Sequence, residues 1–156
     1  MADQVAPSPE YCPVDSTLGL RLSRLVRSLR SSWAKTLASL SLSPPEAAIL
    51  RAIGEEPGIG IRALARYTHS DPMNVKRAVD ALQSRSMLLS TNSVIDSRSY
   101  ALLLTDNGAL LCKQVNELAT AQATKIMTTI PHHAQQDFLD ALGSLENLFV
   151  FSDQAR

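Results

Sequence analysis

Hydrophobic residues recur at intervals of three and four over most of the chain, which is the spacing of one face of an α-helix. Six apolar positions in the first such stretch predict a helix of about twenty residues: Leu18, Leu22, Leu25, Leu29, Trp33 and Leu37. Asp15 or Ser16 can cap its start. Residues 1–14 contain prolines among polar residues and are expected to form an extended arm.

A second helix is predicted from its capping signals. Ser43 can serve as the N-cap, Pro44 suits the first turn, and Glu46 occupies the position from which a capping box returns a hydrogen bond. The Gly-Glu-Glu-Pro sequence after Ile53 is expected to end this helix near that residue.

Two further helices follow, joined by a tight connection. The stretch "IGIRALARY" allows only two or three turns, with its apolar positions inward and Arg62 and Arg66 outward. Asp71 followed by Pro72 is a strong N-cap signal for the next helix, which should end near Ser86. The buried face of that helix is predicted to contain Val75, Val79 and Leu82.

The apolar period then changes from helical to strand-like. The stretches "MLLST" and "RSYALLLT" are rich in apolar residues and flank "NSVIDS", so they predict a β-hairpin. Thr105 can cap a long helix that reaches about Met127. A last helix is marked by Phe138, Leu142, Leu145 and Phe149. The predicted fold is mainly α with a small hairpin.

Composition narrows the function classes. The 156 residues suit one folding unit, and the 15 basic residues balance the 15 acidic ones. The distribution is uneven, however, because residues 61–98 contain six basic residues against three acidic ones. Positive charge is therefore concentrated around the two short helices and the hairpin.

Several classes of site find no support in the sequence. Cys12 and Cys112 are too few and too far apart for a zinc site or a disulfide scaffold. No nucleophile elbow, phosphate loop or metal-ligand spacing occurs, so neither catalysis nor a metal or other cofactor is expected. With no signal peptide and no apolar run long enough to span a membrane, a cytoplasmic protein without a membrane partner is expected.

The order of helix, turn, helix and hairpin predicts a winged helix-turn-helix, whose second helix enters the major groove of DNA. Side chains in the first turns of that helix reach base edges, and Asn, Lys, Arg and Met each have base partners. The DNA-binding candidates in this region are Arg62, Ser70, Met73, Asn74, Lys76 and Arg77. An ordinary solvated helix face is the alternative, and the hairpin directly afterwards favours DNA.

Three stretches carry a family resemblance: "LSPPEAAILRAI", "IRALARYTHSDPMNVKRAVDAL" and "DSRSYALLLTDNG". They resemble the MarR family of winged-helix transcriptional regulators. The resemblance implies that Arg98 at the tip of the hairpin, or wing, reaches toward the DNA minor groove and that Asp96 accompanies it. Residues i and i+2 of a strand share a side, so Asp96 can orient the Arg98 guanidinium. A functionally silent surface salt bridge is the alternative.

The sequence departs from the family pattern at two positions. Ser86 stands where the family commonly has glycine, ahead of the first wing strand, and Ser90 stands where a basic residue is common. The wing is therefore expected to carry less positive charge than usual, and DNA affinity is expected to depend more on the helix.

The resemblance also implies a homodimer that acts on a double-stranded DNA operator. Residues 42–106 would form the DNA-binding region, between an N-terminal dimerisation helix in 15–41 and linking and dimerisation helices in 107–156. Family members are commonly repressors released by a small aromatic or anionic effector, such as an aromatic acid or its coenzyme A thioester. An apolar wall with cationic partners suits such ligands, which suggests four effector-binding candidates: Arg24, Arg27, Arg30 and Trp33.

Alternatives to this assignment stay open. Trp33 can belong to the core and the arginines to a solvated face. The winged helix can be a protein-interaction module that does not bind DNA, which substitution of Arg77 and Arg98 would distinguish. A redox-sensing regulator acting through Cys12 and Cys112 is a third interpretation, although a packing role suits Cys112 better.

Overall fold

The computed structural model describes residues 17–92 and 100–148. They are mostly helical with a two-stranded antiparallel sheet, which confirms the predicted fold class. In chain order the elements are α1 (Leu18–Ala38), α2 (Pro44–Glu55), α3 (Ile61–Tyr67), α4 (Pro72–Ser84), β1 (Leu88–Asn92), β2 (Tyr100–Leu104), α5 (Asp106–Met127) and α6 (Gln135–Glu146). A short 3-10 turn at His132–Ala134 precedes α6.

The chain divides into two compact units, Met1–Cys112 and Lys113–Arg156, with the boundary inside α5. The first contains the predicted helix-turn-helix and hairpin, together with α1. The second contains the rest of α5 and α6. Within the described residues no helix has the length and apolar character needed to cross a membrane.

Helix α1 has the predicted length, but its N-cap position is occupied by Thr17. The predicted caps Asp15 and Ser16, and the arm over 1–14, lie outside the described residues. In the predicted apolar stripe Leu18, Leu22 and Leu25 are exposed in the protomer, Leu29 and Trp33 are half-buried, and Leu37 is the buried residue of this helix. The stripe therefore presents leucines to the surface rather than to the core of this unit.

The capping box predicted for α2 is confirmed, because the Ser43 amide donates to Glu46 Oε2 at 2.7 Å. The predicted end near Ile53 was too early, since α2 continues through Gly54 to Glu55. A Cβ added at Gly54 would lie 3.0 Å from Cys112 Sγ and 3.6 Å from Leu104 Cδ1. This glycine therefore provides space for a packing contact and does not terminate the helix.

The core of the first unit lies between the short helices and the hairpin. Its side chains come from one face of each element, as the predicted periodicity requires. The fully or almost fully buried members include Leu37, Ile49, Leu50, Ile53, Leu64, Val75, Val79, Leu82, Leu88 and Leu102.

The hairpin pairs Leu88 with Leu104 and continues to Asn92 opposite Tyr100. The segment ahead of α3 adds a third, very short partner that the sequence analysis did not predict. The Gly58 amide donates to the Leu102 carbonyl at 2.8 Å, and the Leu102 amide donates to the Ile59 carbonyl at 3.3 Å. These bonds tie the start of the helix-turn-helix to the second wing strand.

Candidate nucleic-acid interface

The N-terminus of α4 is held by the predicted cap. Asp71 Oδ1 accepts hydrogen bonds from the amides of Met73 at 2.8 Å and Asn74 at 3.3 Å, and Pro72 occupies the first turn. These bonds satisfy amides that would otherwise lack an intrahelical partner, and such a cap contributes about 1 kcal/mol. The first turns of the candidate recognition helix are thereby ordered without any ligand.

The turn between α3 and α4 is a Schellman motif, in which two amides after a helix bond back to its last turn. The His69 amide donates to the Arg66 carbonyl at 3.2 Å and the Ser70 amide to the Ala65 carbonyl at 2.9 Å. His69 has a φ of 47°, the left-handed conformation that this motif requires. The Ser70 hydroxyl donates to the Thr68 carbonyl at 3.0 Å, so its oxygen can still accept a hydrogen bond.

The candidate residues on α4 are all exposed, but they do not share one direction. Successive residues rotate by about 100° around a helix, which places Met73 and Arg77 opposite the buried Val75, Val79 and Leu82. Asn74 lies on the flank toward α2, where it and Ser70 border a small pocket with Pro45 and Ile49. Met73 and Arg77 therefore form the centre of the exposed face.

Lys76 lies on the opposite flank, beside the wing. It borders a groove of about 170 Å³ whose other polar lining residues include Asp80, Gln83, Ser90 and Tyr100. Its ammonium donates to both carboxylate oxygens of Asp80 at 3.0 Å. The four-residue spacing of Lys76 and Asp80 along the helix is the sequence signal for such a pair.

The arginine candidates outside α4 are Arg62 and Arg98. Arg62 is exposed on α3, as predicted, one residue after the helix begins. Arg98 and its predicted partner Asp96 lie outside the described residues. Arg77 forms no ion pair with any residue of the described ranges, so its guanidinium is available to a ligand.

The base of the wing is held by the Leu-Thr-x-x-Gly sequence of the family resemblance. The Thr105 amide donates to the Met87 carbonyl at 3.1 Å, and its hydroxyl donates to the Ser86 carbonyl at 2.9 Å. The same hydroxyl oxygen accepts from the Gly108 amide at 3.0 Å and so caps α5, as predicted. A Cβ at Gly108 would lie 2.0 Å from the Met87 carbonyl oxygen, so only glycine permits this approach.

The effector candidates on α1 do not form one cluster. Arg24, Arg27 and Arg30 are exposed and Trp33 is half-buried. At about 100° per residue, Arg24 and Trp33 lie on opposite sides of the helix, whereas Arg30 lies one turn from Trp33 on a neighbouring face. Arg30 and Trp33 can therefore contact one ligand together, but Arg24 cannot join them from the same helix.

Cys112 has the environment of a packing residue. It is buried, and its thiol lies 3.4 Å from the Leu50 carbonyl oxygen. Burial raises the pKa of the Cys112 thiol, an effect that the positive charge of Arg51 partly offsets. Since the thiolate is the reactive form, this environment opposes redox chemistry at neutral pH. Cys12, the other candidate for that role, lies outside the described residues.

Comparison with known proteins supports the geometric assignment. The MarR family profile matches residues 42–100, which extend from the start of α2 to the first residue of β2. This part of the chain is similar to the MarR family. That family consists of transcriptional regulators.

A curated relative of this protein is the HTH-type transcriptional repressor Rv2887 of Mycobacterium tuberculosis. The two are 28% identical over 133 residues, which cover 83% of this chain and 96% of the relative. The crystal structure of Rv2887 in complex with salicylic acid has a TM-score of 0.66 at 26% identity and covers 85% of this chain and 98% of that one. The complex of Rv2887 with DNA has a TM-score of 0.68 at 24% identity, with coverage of 84% and 98%.

A second structural relative is CouR from Rhodococcus jostii RHA1, solved with p-coumaroyl-CoA. Its TM-score is 0.74 at 22% identity, and the match covers 86% of this chain and 95% of CouR. At this identity the similarity establishes a shared fold.

Proposed function

We propose that this protein is a homodimeric repressor of the MarR type that binds a palindromic double-stranded DNA operator and is released from it by a small aromatic or anionic effector. In this proposal residues 42–106 contact DNA, while the helices in 15–41 and 107–156 form the dimer. The observation that carries it is the exposed centre of α4, where Met73 and Arg77 project from a helix that is capped and ordered in advance. The relative Rv2887 was crystallised with DNA, which is consistent with this assignment.

The residues of α4 are assigned different tasks. Arg77 can donate two hydrogen bonds to the O6 and N7 atoms of guanine, and Met73 can contact a thymine methyl group. Ser70, Asn74 and Arg62 would contact bases or phosphates at the edge of the helix. Arg98, oriented by Asp96, would enter the minor groove, where a narrow width strengthens the negative potential.

The DNA proposal is tested with duplexes selected by the wild-type protein from a randomised pool. Arg77→Ala should weaken binding to the selected duplex by about 1–3 kcal/mol and relax the preference at one position, because a base contact is lost. Fluorescence anisotropy at two salt concentrations measures both affinity and salt dependence. Lys125→Ala, which removes an exposed charge from the last turn of α5, is the matched control and should leave binding unchanged.

Two results would reject the DNA proposal. One is wild-type binding that shows no preference between selected and unselected duplexes, and the other is affinity that does not change with salt. Equal affinities for Arg77→Ala and the wild type would remove Arg77 from the interface and leave the remaining assignments standing.

The effector part of the proposal centres on Arg30 and Trp33. An aromatic carboxylate would place its ring against Trp33 and its charge near Arg30, since these neighbouring positions combine an apolar surface with a cation. Structures of two relatives contain salicylic acid and p-coumaroyl-CoA, which makes these compounds suitable probes. Each is titrated into the preformed complex with the selected duplex, and release of DNA is measured.

Single substitutions distinguish the arginines in this titration. Arg30→Ala should raise the probe concentration needed for release several-fold. Arg24→Ala should not, because Arg24 lies on the far side of α1 from Trp33. The effector assignment fails if neither probe releases DNA from the wild type, or if both variants respond equally.

A further inference from the structure

The exposed face of α4 carries one ion pair, between Lys76 and Asp80, that does not pack the core of the fold. Lys76 Nζ donates to Oδ1 and Oδ2 of Asp80, each at 3.0 Å, while 56% and 53% of the two side chains remain exposed. Surface pairs of this kind contribute little to stability. An ammonium group has three N–H donors, so this arrangement leaves one donor of Lys76 for a ligand.

The surroundings of the pair are electrically neutral. Lys76 and Asp80 border the groove between α4 and the wing with the uncharged Gln83, Ser90 and Tyr100. Arg77, one residue from Lys76, has no ion-pair partner within the described residues. The centre of the α4 face therefore carries an available cation, whereas its wing-side flank carries a cation whose charge is compensated.

This difference matters because lysine binds DNA in two ways. A mobile ammonium reaches the nearest phosphate, which adds affinity for every sequence, whereas an oriented donor can contact one acceptor on a base edge. Asp80 opposes contact between Lys76 and a phosphate in two ways. It engages two of the three donors, and its own charge repels a phosphate that approaches the pair.

We propose that Asp80 is a positioning residue for specificity, which holds Lys76 away from the phosphates and directs its remaining donor to a base edge. This inference rests on the proposed DNA-binding function. It predicts that the negative charge on the recognition helix lowers affinity for unrelated DNA more than affinity for the operator.

The test uses Asp80→Asn, which keeps the shape of the side chain and removes its charge. The probes are the duplex selected by the wild-type protein and mixed-sequence genomic DNA. Asp80→Asn should bind mixed-sequence DNA at least about threefold more tightly at low salt. The slope of log affinity against log salt should steepen by about 0.9 per protomer, because one phosphate contact is added. The ratio of the selected to the mixed-sequence affinity should fall.

A double-mutant cycle separates positioning from simple charge removal. In the Lys76→Gln background, Asp80→Asn should barely change the salt slope, because no lysine is released. Asp80→Glu should behave like the wild type, since a longer carboxylate still reaches Lys76 across one turn. Asp140→Asn removes the same charge from the exposed face of α6 and controls for net charge.

The proposal is overturned if Asp80→Asn leaves the salt slope and the affinity ratio unchanged. It is also overturned if the slope changes equally with and without Lys76, since Asp80 would then act as an independent charge. Thermal unfolding verifies each fold, and Asp80→Ser is judged by the same criteria if the asparagine variant is unstable. If the wild type shows no salt-dependent binding to either DNA, the proposed DNA-binding function itself is rejected.

Discussion

Ser86 adopts a backbone conformation that side chains disfavour. Its φ is 57°, and it occupies the left-handed position of a Schellman motif in which the Met87 amide donates to the Leu82 carbonyl at 2.9 Å. The left-handed conformation costs an L-residue about 1–2 kcal/mol, and glycine avoids this cost. Part of the gain in stability is lost, because glycine also makes the unfolded chain more flexible. Ser86→Gly should therefore raise the free energy of unfolding by about 0.5–1 kcal/mol.

Urea denaturation of Ser86→Gly measures this gain. Ser84→Gly is the matched control, because Ser84 is the last residue of α4 and glycine lowers stability within a helix. The explanation would be wrong if Ser86→Gly were no more stable than the wild type.

Gly108 is required by contact rather than by its φ angle. A Cβ at this position would lie 2.0 Å from the Met87 carbonyl oxygen, which belongs to the backbone and cannot rotate away. Gly108→Ala should lower the free energy of unfolding by about 1–3 kcal/mol, because the added methyl group forces α5 away from the base of the wing. Gly143→Ala is the opposite control, since nothing lies within 4 Å of its Cβ position in α6. Gly143→Ala should raise the free energy of unfolding by about 0.5–1 kcal/mol. Thermal unfolding of both variants measures these changes.

Single residues were predictable from the sequence where their role is local. The caps at Ser43, Asp71 and Thr105 follow from spacing within a few residues, and each is present. The left-handed Ser86 could be noted only as a departure from the usual glycine. The pairing of Lys76 with Asp80 had a detectable signal in its four-residue spacing, but the groove beside it depends on the position of the wing.

At the scale of elements, three helices are each followed by a left-handed residue that is not glycine. The left-handed residues after α1, α3 and α4 are Ser41, His69 and Ser86. The connection after α1 is also held from a distance, because Arg85 Nη1 donates to the Ser41 carbonyl at 2.9 Å and lies 3.6 Å from Glu46 Oε1. One side chain therefore joins the end of the recognition helix to the connection between α1 and α2.

Removal of this bridge should lower stability measurably. Arg85→Ala breaks a charged hydrogen bond and an ion pair whose Glu46 partner is only 13% exposed. After allowance for the 33% exposure of Arg85, the expected loss is about 1–2 kcal/mol in urea denaturation. Lys113→Ala, at an exposed position of α5, should change stability by less than about 0.5 kcal/mol. Equal losses in both variants would contradict a specific role for the bridge.

Elements were predicted correctly where periodicity determines them and less well where tertiary contacts do. All six helices and the hairpin follow from their apolar patterns and capping signals. The close packing of Gly54 against Cys112 depends on the position of α5, and the pairing of Gly58 and Ile59 with Leu102 depends on a strand over forty residues later. Neither partner is visible to an analysis of local sequence.

At the scale of the whole molecule, apolar surface is unevenly distributed. Helix α6 has no buried residue in the protomer, and five large apolar side chains along it and just after its end remain exposed: Phe138, Leu139, Leu142, Leu145 and Leu148. Contiguous apolar surface of this kind usually marks a protein interface. Positive charge has a different distribution, because residues 61–98 contain six basic residues against three acidic ones and α1 contains five basic residues and no acidic one. The exposed apolar side chains of α6 therefore suit a dimer interface.

A charge introduced on α6 should therefore dissociate the dimer. Leu142→Glu places a carboxylate amid the exposed apolar residues, and a buried unpaired charge is costly in an interface. Sedimentation velocity should show a dimer for the wild type and a monomer for the variant. Leu89→Gln, at an exposed leucine of β1, should remain dimeric.

DNA binding then reports whether both protomers act together. A dimer gains affinity on a palindromic duplex because the second half-site is bound at a high effective concentration. The wild type should prefer a selected palindromic duplex to a single half-site by at least about a hundredfold, and Leu142→Glu should lose most of this preference. Its affinity for the isolated half-site should stay near that of the wild type, because α4 is folded and capped within the first unit. A Leu142→Glu variant that remains dimeric would place the interface elsewhere.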